Sequence, residues 1–200
     1  MKTFVFTLTA TMLASLTIAE DSLMDGGRSP DGHYEVRLAR TPNYDIINDS
    51  SEYSFQIHAK NKEKPLFTLP GSGFRGYSVA KGYCKALWSQ TSRFVVIVER
   101  DTRHTTEIYI VDVSSDGAKR LEIPDYVQNA LGRVNATSID FACVSTPKRW
   151  DGDDLIVGLY FTANGRHSYT CDVTLHLYHE QDSESSVGLK NVNKPKEDEA

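Results

Sequence analysis

Residues 155–178 read LIVGLYFTANGRHSYTCDVTLHLY, and this stretch decides the fold class. Its two halves, 155–161 and 169–178, are rich in β-branched and aromatic residues, which favour strands. The pair Asn164-Gly165 between them is a turn pair that β-hairpins prefer. The stretch therefore predicts an antiparallel hairpin of two long strands.

Similar signals run back towards the N-terminus. Residues 94–98 (FVVIV) form a continuous apolar run, which is typical of a strand buried on both faces, and 108–113 (IYIVDV) is another. Half-buried strands alternate apolar with polar residues, and residues 34–38 and 53–57 do so. The one helical candidate is 124–131, with Pro124 at its start and Gly132 at its stop. The chain is predicted to be all-β and mostly antiparallel, with one short helix.

A weak internal repeat organises these strands. Three similar segments begin at residues 28, 88 and 150, with spacings of 60 and 62 residues. Two strong strands follow each start, and in the first two units a third short one follows, at 65–69 and 120–123. Trp88 and Trp150 occupy equivalent positions, where core packing is the expected role. Repetition on this scale is typical of propeller blades or related sheet arrays.

The repeat carries a family resemblance. Ser29-Pro30-Asp31-Gly32-His33-Tyr34 resembles the start of a TolB-type (PD40) β-propeller repeat, and Trp88-Ser89 with 108–112 (IYIVD) resembles the rest of such a blade. The resemblance covers about two of the three units. It implies a scaffold of exported bacterial proteins that binds proteins or peptides.

Two departures bear on closure of a propeller. The second unit has Ser-Gln-Thr-Ser where the resemblance expects Asp-Gly, and propellers usually close with about 4–8 blades. The expected fold is an antiparallel twisted sheet array, or a sandwich of blade-like units that is partly propeller-like. A closed propeller is the alternative.

The termini predict where the protein works. Residues 1–19 combine Lys2, an apolar run, and small residues at Thr17 and Ala19, as in a secretory signal peptide. The mature protein is expected to be secreted or periplasmic, without membrane insertion after cleavage. Residues 20–28 are expected to be a flexible lead-in, 29–180 a single β domain, and 181–200 a disordered tail, because this tail has few large apolar groups.

Charge and cysteine content limit the classes of partner, disulfide and cofactor that the sequence supports. The formal net charge is −5, and −6 without Lys2, which argues against a nucleic-acid partner. In an oxidising compartment, Cys143 and Cys171 are the preferred disulfide pair among the three cysteines. Three buried unpaired thiols, Cys84 included, are the alternative. No metal or cofactor is expected, because Cys/His spacings of the zinc type are missing from the sequence.

Two loops are candidates for partner binding, because loops carry function on β scaffolds. The glycine-rich segment 71–77 would present Ser72, Phe74, Arg75 and Tyr77, and a charged hairpin tip would present Arg100, Arg103 and His104. Ser72 lacks the spacing of a nucleophile elbow. The sequence thus favours a non-enzymatic module that binds a protein, a peptide or an envelope polymer.

Two alternatives stay open. A small exported hydrolase would need an acid or base near His104 or in the acidic turn at 151–154. An inhibitor of a secreted enzyme would present the glycine-rich loop to an active site.

Overall fold

A computed structural model describes residues 22–40, 53–70, 84–99, 104–114, 117–165, 167–179 and 185–198. The predicted signal peptide at 1–19 lies outside the described residues. No helix in the described part of the chain has the length and apolar character needed to cross a bilayer.

The structure consists of three successive antiparallel meanders. The first comprises β1 (Ser22–Arg28), β2 (Tyr34–Arg40), β3 (Tyr53–Ala59) and β4 (Phe67–Pro70). The second comprises β5 (Lys85–Trp88), β6 (Phe94–Glu99), β7 (Glu107–Ser114) and β8 (Gly117–Leu121). After the helix α1 (Tyr126–Gly132), the third comprises β9 (Cys143–Asp151), β10 (Asp154–Ala163), β11 (His167–Tyr178) and β12 (Ser186–Val192). A short strand β13 (Lys196–Glu197) also pairs with β11.

The first two meanders form one sheet, in the order β4-β3-β2-β1-β5-β6-β7-β8. They join where β1 runs parallel to β5, with Asp25 opposite Lys85. The sheet curls until its end strands β4 and β8 approach each other, which makes it a nearly closed, barrel-like sheet. β9 to β12 form a second antiparallel sheet, so the all-β expectation, with one short helix among the described residues, is confirmed.

The second meander is buried on both faces. Val95, Ile97 and Val111 pack towards the first meander, in a core with Val36 and Phe55. The opposite face of the same strands packs against the third meander and α1, in a core that includes Phe94, Val96, Ile110, Leu131, Leu155 and Val173. This arrangement explains why residues 94–98 form an unbroken apolar run.

The faces that point away from the second meander are polar. On the first meander the residues between the core positions are Glu35, Arg37 and Gln56, and on the third they are Thr170, Asp172 and Thr174. Stacked repeats need such polar outer faces on their end units. The outer faces of the first and third meanders are therefore suited to contact with solvent.

The repeat is real in three dimensions. Ser29 Oγ accepts a hydrogen bond from Tyr34 N at 2.9 Å, and Ser89 Oγ accepts one from Phe94 N at 3.0 Å. Ser92 takes a positive φ of 61°, in the place where the first unit has Gly32 at 69°. The Ser-Gln-Thr-Ser segment therefore adopts the same turn as the first unit, despite lacking glycine.

The tryptophans connect successive units in the same way. Trp88 Nε1 donates to the carbonyl of Gly27 at 3.0 Å, and its ring stacks on Tyr34 with centroids 6.1 Å apart. Trp150 Nε1 donates to the carbonyl of Leu87 at 3.1 Å, and its ring stacks on Phe94 at 6.3 Å. Both indole rings are buried, as the core-packing interpretation predicted.

Two expectations about strands are wrong. Each unit has four strands instead of three, because a strand precedes each repeat start at 28, 88 and 150. The lead-in is a strand, β1, in which Gly26 lies so close to β5 that a Cβ atom would stand 2.2 Å from the Ala86 carbonyl oxygen. Its glycines serve close strand packing, not flexibility.

The expectation of a disordered tail is also wrong for residues 186–197, which form β12 and β13. Val192 is 3% exposed, and Val187 and Leu189 pack against the core beside β11. A few apolar residues suffice here, because β11 offers an edge whose backbone groups pair with those of β12.

The expected Cys143–Cys171 disulfide does not form, and all three cysteines are unpaired. Cys143 lies on β9 opposite Phe161, and Cys171 lies on β11 opposite Leu159, so β10 separates the two residues. Two strand spacings amount to about 9.6 Å, which exceeds the roughly 7 Å limit between the Cα atoms of a disulfide.

Two local predictions are confirmed. The 164–165 turn joins β10 to β11, and Asn164 and Gly165 both take positive φ, at 54° and 84°. A helix forms in the predicted region as α1, but it begins at Tyr126 and not at Pro124, because the Asp125 side chain is its N-cap and accepts a hydrogen bond from Gln128 N at 2.9 Å.

Candidate functional site

The sequence-predicted partner surface falls mostly outside the described residues. Ser72, Phe74, Arg75 and Tyr77 lie there, as do Arg100 and Arg103. His104 is described: its ring centroid lies 4.1 Å from that of Phe141, and its carbonyl accepts a hydrogen bond from Cys143 N at 2.8 Å. The surface as a whole stays a prediction.

A groove on the outer face of the third meander is a second candidate, which the sequence reasoning missed. Its volume is about 490 Å³, within the range of ligand sites. Its floor is the middle of β10, and the segment between β12 and β13 forms one wall. The polar side chains that line it include Thr146, Lys148, Tyr160, Thr170, Lys194 and Lys196.

Lys148 reaches across this floor because of a bulge in β9. Arg149 pairs with Ile156 and Pro147 pairs with Val157, so Lys148 is the extra residue between them. Bulges commonly turn a side chain in a new direction, and they accommodate proline. The aliphatic chain of Lys148 crosses β10 at Gly158, and its Nζ lies 2.5 Å from Asp172 Oδ1 on β11.

Gly158 makes this crossing possible. A Cβ atom at this position would stand 2.5 Å from Lys148 Cε. Any larger residue would therefore displace the lysine from the groove floor.

Lys194 and Lys196 come from an irregularity along the edge of β11. β12 leaves the edge after Val192, and β13 rejoins it with Lys196 opposite Thr170. Val192 and Pro195 are buried and anchor the segment, while Lys194 and Lys196 are exposed. Among the described residues, neither of these two lysines has an ion-pair partner.

Hydroxyl groups line the same groove as the lysines. Tyr160 Oη lies 3.1 Å from Ser168 Oγ, and Thr170 Oγ1 donates to Asp198 Oδ1 at 3.2 Å. The carboxylate of Asp172, also on the lining, is paired with Lys148. The groove is therefore rich in hydrogen-bonding groups and locally positive, on a chain whose net charge is −5.

The acidic turn at 151–154 is held by basic side chains. Asp154 contacts His176 Nδ1 and Lys190 Nζ, both at 2.6 Å, and Asp153 lies 3.2 Å from His179 Nε2. Burial raises the pKa of Asp154, but the hydrogen bonds from Lys190 and His176 outweigh it, so that the pKa lies below its usual value. Within the described residues, no group of three or more His, Cys, Asp or Glu side chains could hold a metal.

The thiols lie in apolar surroundings. Burial and the nearby Glu99 carboxylate raise the pKa of Cys84 to about 12. Burial and Asp125 raise the pKa of Cys143 to about 11, and burial also raises that of Cys171. These cysteines are therefore poor nucleophiles near neutral pH.

Two sequence signals pointed to the groove. A glycine inside a strongly predicted strand, Gly158 in LIVGLYF, marks a close approach of another group. A proline before a lysine in a neighbouring strand, Pro147-Lys148, marks a bulge. The lysines of 190–196 were not considered as site residues, because this segment was expected to be disordered.

Comparison with solved structures yields a match of low similarity. No family model matches the chain, and no curated protein matches it. The crystal structure of TolB from Acinetobacter baumannii is similar, with 12% sequence identity and a TM-score of 0.31. The match covers 88% of this chain and 43% of that chain, so this chain spans less than half the length of the TolB structure.

Proposed function

We propose that the chain is an exported, non-enzymatic binding module for an envelope polymer, a protein or a peptide, and that its ligand occupies the groove over β10. One observation carries this proposal. A bulged edge anchored by Val192 and Pro195 presents Lys194 and Lys196 beside a cavity of about 490 Å³. Export rests on the signal-like sequence of residues 1–19.

The chemistry of the lining favours binding over hydrolysis. A general base needs a carboxylate or imidazole that is available to accept a proton from substrate. In the groove, the Asp172 carboxylate is engaged by Lys148 at 2.5 Å. At the acidic turn, Asp154 is engaged by both His176 and Lys190. The hydroxyl and ammonium groups of the lining suit ligand recognition.

A direct test uses two charge-matched double variants. Lys194→Ala with Lys196→Ala removes two positive charges from the groove, and Lys60→Ala with Lys62→Ala removes two from the β3–β4 turn of the first meander. All four side chains are exposed, so both variants should fold as the wild type does. We expect the groove variant to lose retention on a panel of immobilised envelope polymers and peptides, and the control variant to keep it.

The readout is retention of purified protein on each surface, with far-ultraviolet circular dichroism to verify folding. Equal retention of the wild type and both variants on every retaining surface would contradict the assignment of the groove. Loss of retention by the control variant alone would assign the binding surface to the first meander.

A further inference from the structure

We infer that the ligand of this groove is an anionic carbohydrate, a hydroxyl-rich chain that carries carboxylate or phosphate groups. This inference rests on the proposed function and names the ligand class for the same site.

The charge of the ligand follows from the lysines. Lys194 and Lys196 have no ion-pair partner among the described residues, and they lie near each other at the wall of one cavity. Lys148 is balanced by Asp172, so the lining carries two uncompensated positive charges. An anionic group would provide the charge-assisted hydrogen bonds that these ammonium groups otherwise form with water.

The type of molecule that carries this negative charge is indicated by the strand at the floor of the groove. A peptide usually docks on a sheet by adding a strand to a free edge, where backbone groups are available. Here the floor is β10, which pairs with β9 on one side and with β11 on the other. Its backbone is therefore committed, and a ligand above it must be held by side chains.

The side chains of the lining are suited to sugar hydroxyls. Thr146 and Tyr160 offer hydroxyls, and Thr170 can still accept although it donates to Asp198. Asn193 offers its amide N–H groups, because its Oδ1 already accepts from Asn191. An anionic carbohydrate matches both the charges and the hydroxyls.

The test is titration calorimetry of the full chain with four defined probes. These are an oligogalacturonate, its methyl-esterified neutral form, a phosphorylated mannose oligomer and a polyglutamate peptide of matched charge. We expect binding to one or both anionic oligosaccharides, weakening as salt rises. Lys194→Ala with Lys196→Ala should reduce affinity by roughly tenfold or more, while Lys60→Ala with Lys62→Ala should leave it unchanged. The carboxylate and phosphate probes distinguish the two sources of negative charge.

Gly158→Ala provides an independent check on the floor. The added methyl group displaces Lys148, since its Cβ would stand 2.5 Å from Lys148 Cε. We expect weaker binding of the anionic oligosaccharide together with an unchanged melting temperature, because a long lysine side chain can move aside.

The outcomes separate the inference from the proposed function. Binding of the esterified oligomer as tight as that of its anionic form would overturn the inference and leave the groove as a binding site. Lysine-dependent binding of polyglutamate alone would do the same. Failure of both anionic oligosaccharides to bind would also overturn the inference, and the proposed function would still be decided by the retention experiment.

Discussion

Replacing Trp150 with phenylalanine tests whether the tryptophan contacts hold successive units together. Trp150 is 9% exposed, donates from Nε1 to the carbonyl of Leu87 at 3.1 Å, and stacks on Phe94. Phenylalanine keeps an aromatic ring at the site but cannot donate this hydrogen bond. The variant thus removes one defined link between the third meander and the second.

The expected loss of stability can be worked from these contacts. Loss of the hydrogen bond, with the Leu87 carbonyl left without its donor, costs about 1–2 kcal/mol. The space left by the smaller ring costs about 1 kcal/mol more. The free energy of unfolding should fall by about 2–3 kcal/mol, which lowers the melting temperature by about 5–10 °C for a domain of this size.

Trp88→Phe is the matched variant, because Trp88 makes the equivalent contacts with Gly27 and Tyr34. The chain has two tryptophans, so each variant retains one fluorescent reporter. Urea unfolding followed by circular dichroism and by that fluorescence should give similar losses for both variants. A loss below about 0.5 kcal/mol for Trp150→Phe, with folding intact, would refute the role of the indole contact.

Three further predictions follow from the same structure. Since the pKa of Asp154 is lowered in the folded state, its stabilising effect is present above its ordinary pKa and lost as pH falls through the folded value. Asp154→Asn should therefore cost about 0.5–1 kcal/mol at about pH 7 in urea unfolding, with the difference vanishing in strong acid; a constant difference would contradict the ion pairs. All three thiols should resist Ellman's reagent in the native protein and react after denaturation without reductant. Reaction of only one thiol in the denatured protein would show that the other two form a disulfide. Val192→Ala should lower the free energy of unfolding, measured by urea titration, by about 1–2 kcal/mol, while Lys194→Ala should change it by less than about 0.5 kcal/mol. Equally small effects of both variants would support a disordered C-terminal tail.

The fold was predictable wherever one segment carried its own signal. The 155–178 hairpin, the doubly buried strand at 94–98 and the helix near 124–131 each have a local pattern that matches their structure. The strands β1 and β12 were not predictable in this way. β1 pairs with β2 and with the distant β5, and β12 pairs with the neighbouring β11, but the glycine-rich composition of β1 and the charged, polar composition around β12 are typical of irregular chain.

The groove was less predictable than the fold, for a physical reason. Lys148 and Asp172 meet only because β9, β10 and β11 align Thr146, Gly158 and Asp172 side by side. That register depends on a bulge whose position is set by three-dimensional pairing. The sequence marks the bulge with Pro147 but does not say which strand will lie beside it.

The doubly buried second meander has a consequence for synthesis of the chain. The first two meanders leave the ribosome before the third, so Val95, Ile97 and Val111 can pack against the first meander while Phe94, Val96 and Ile110, on the opposite face, have no cover. That side is closed only when β10 and β11 have been made. Until then the nascent chain exposes an apolar β surface, the kind of surface on which chains aggregate or chaperones bind. Chains truncated between residues 121 and 154 should therefore be insoluble, even though both earlier meanders are complete.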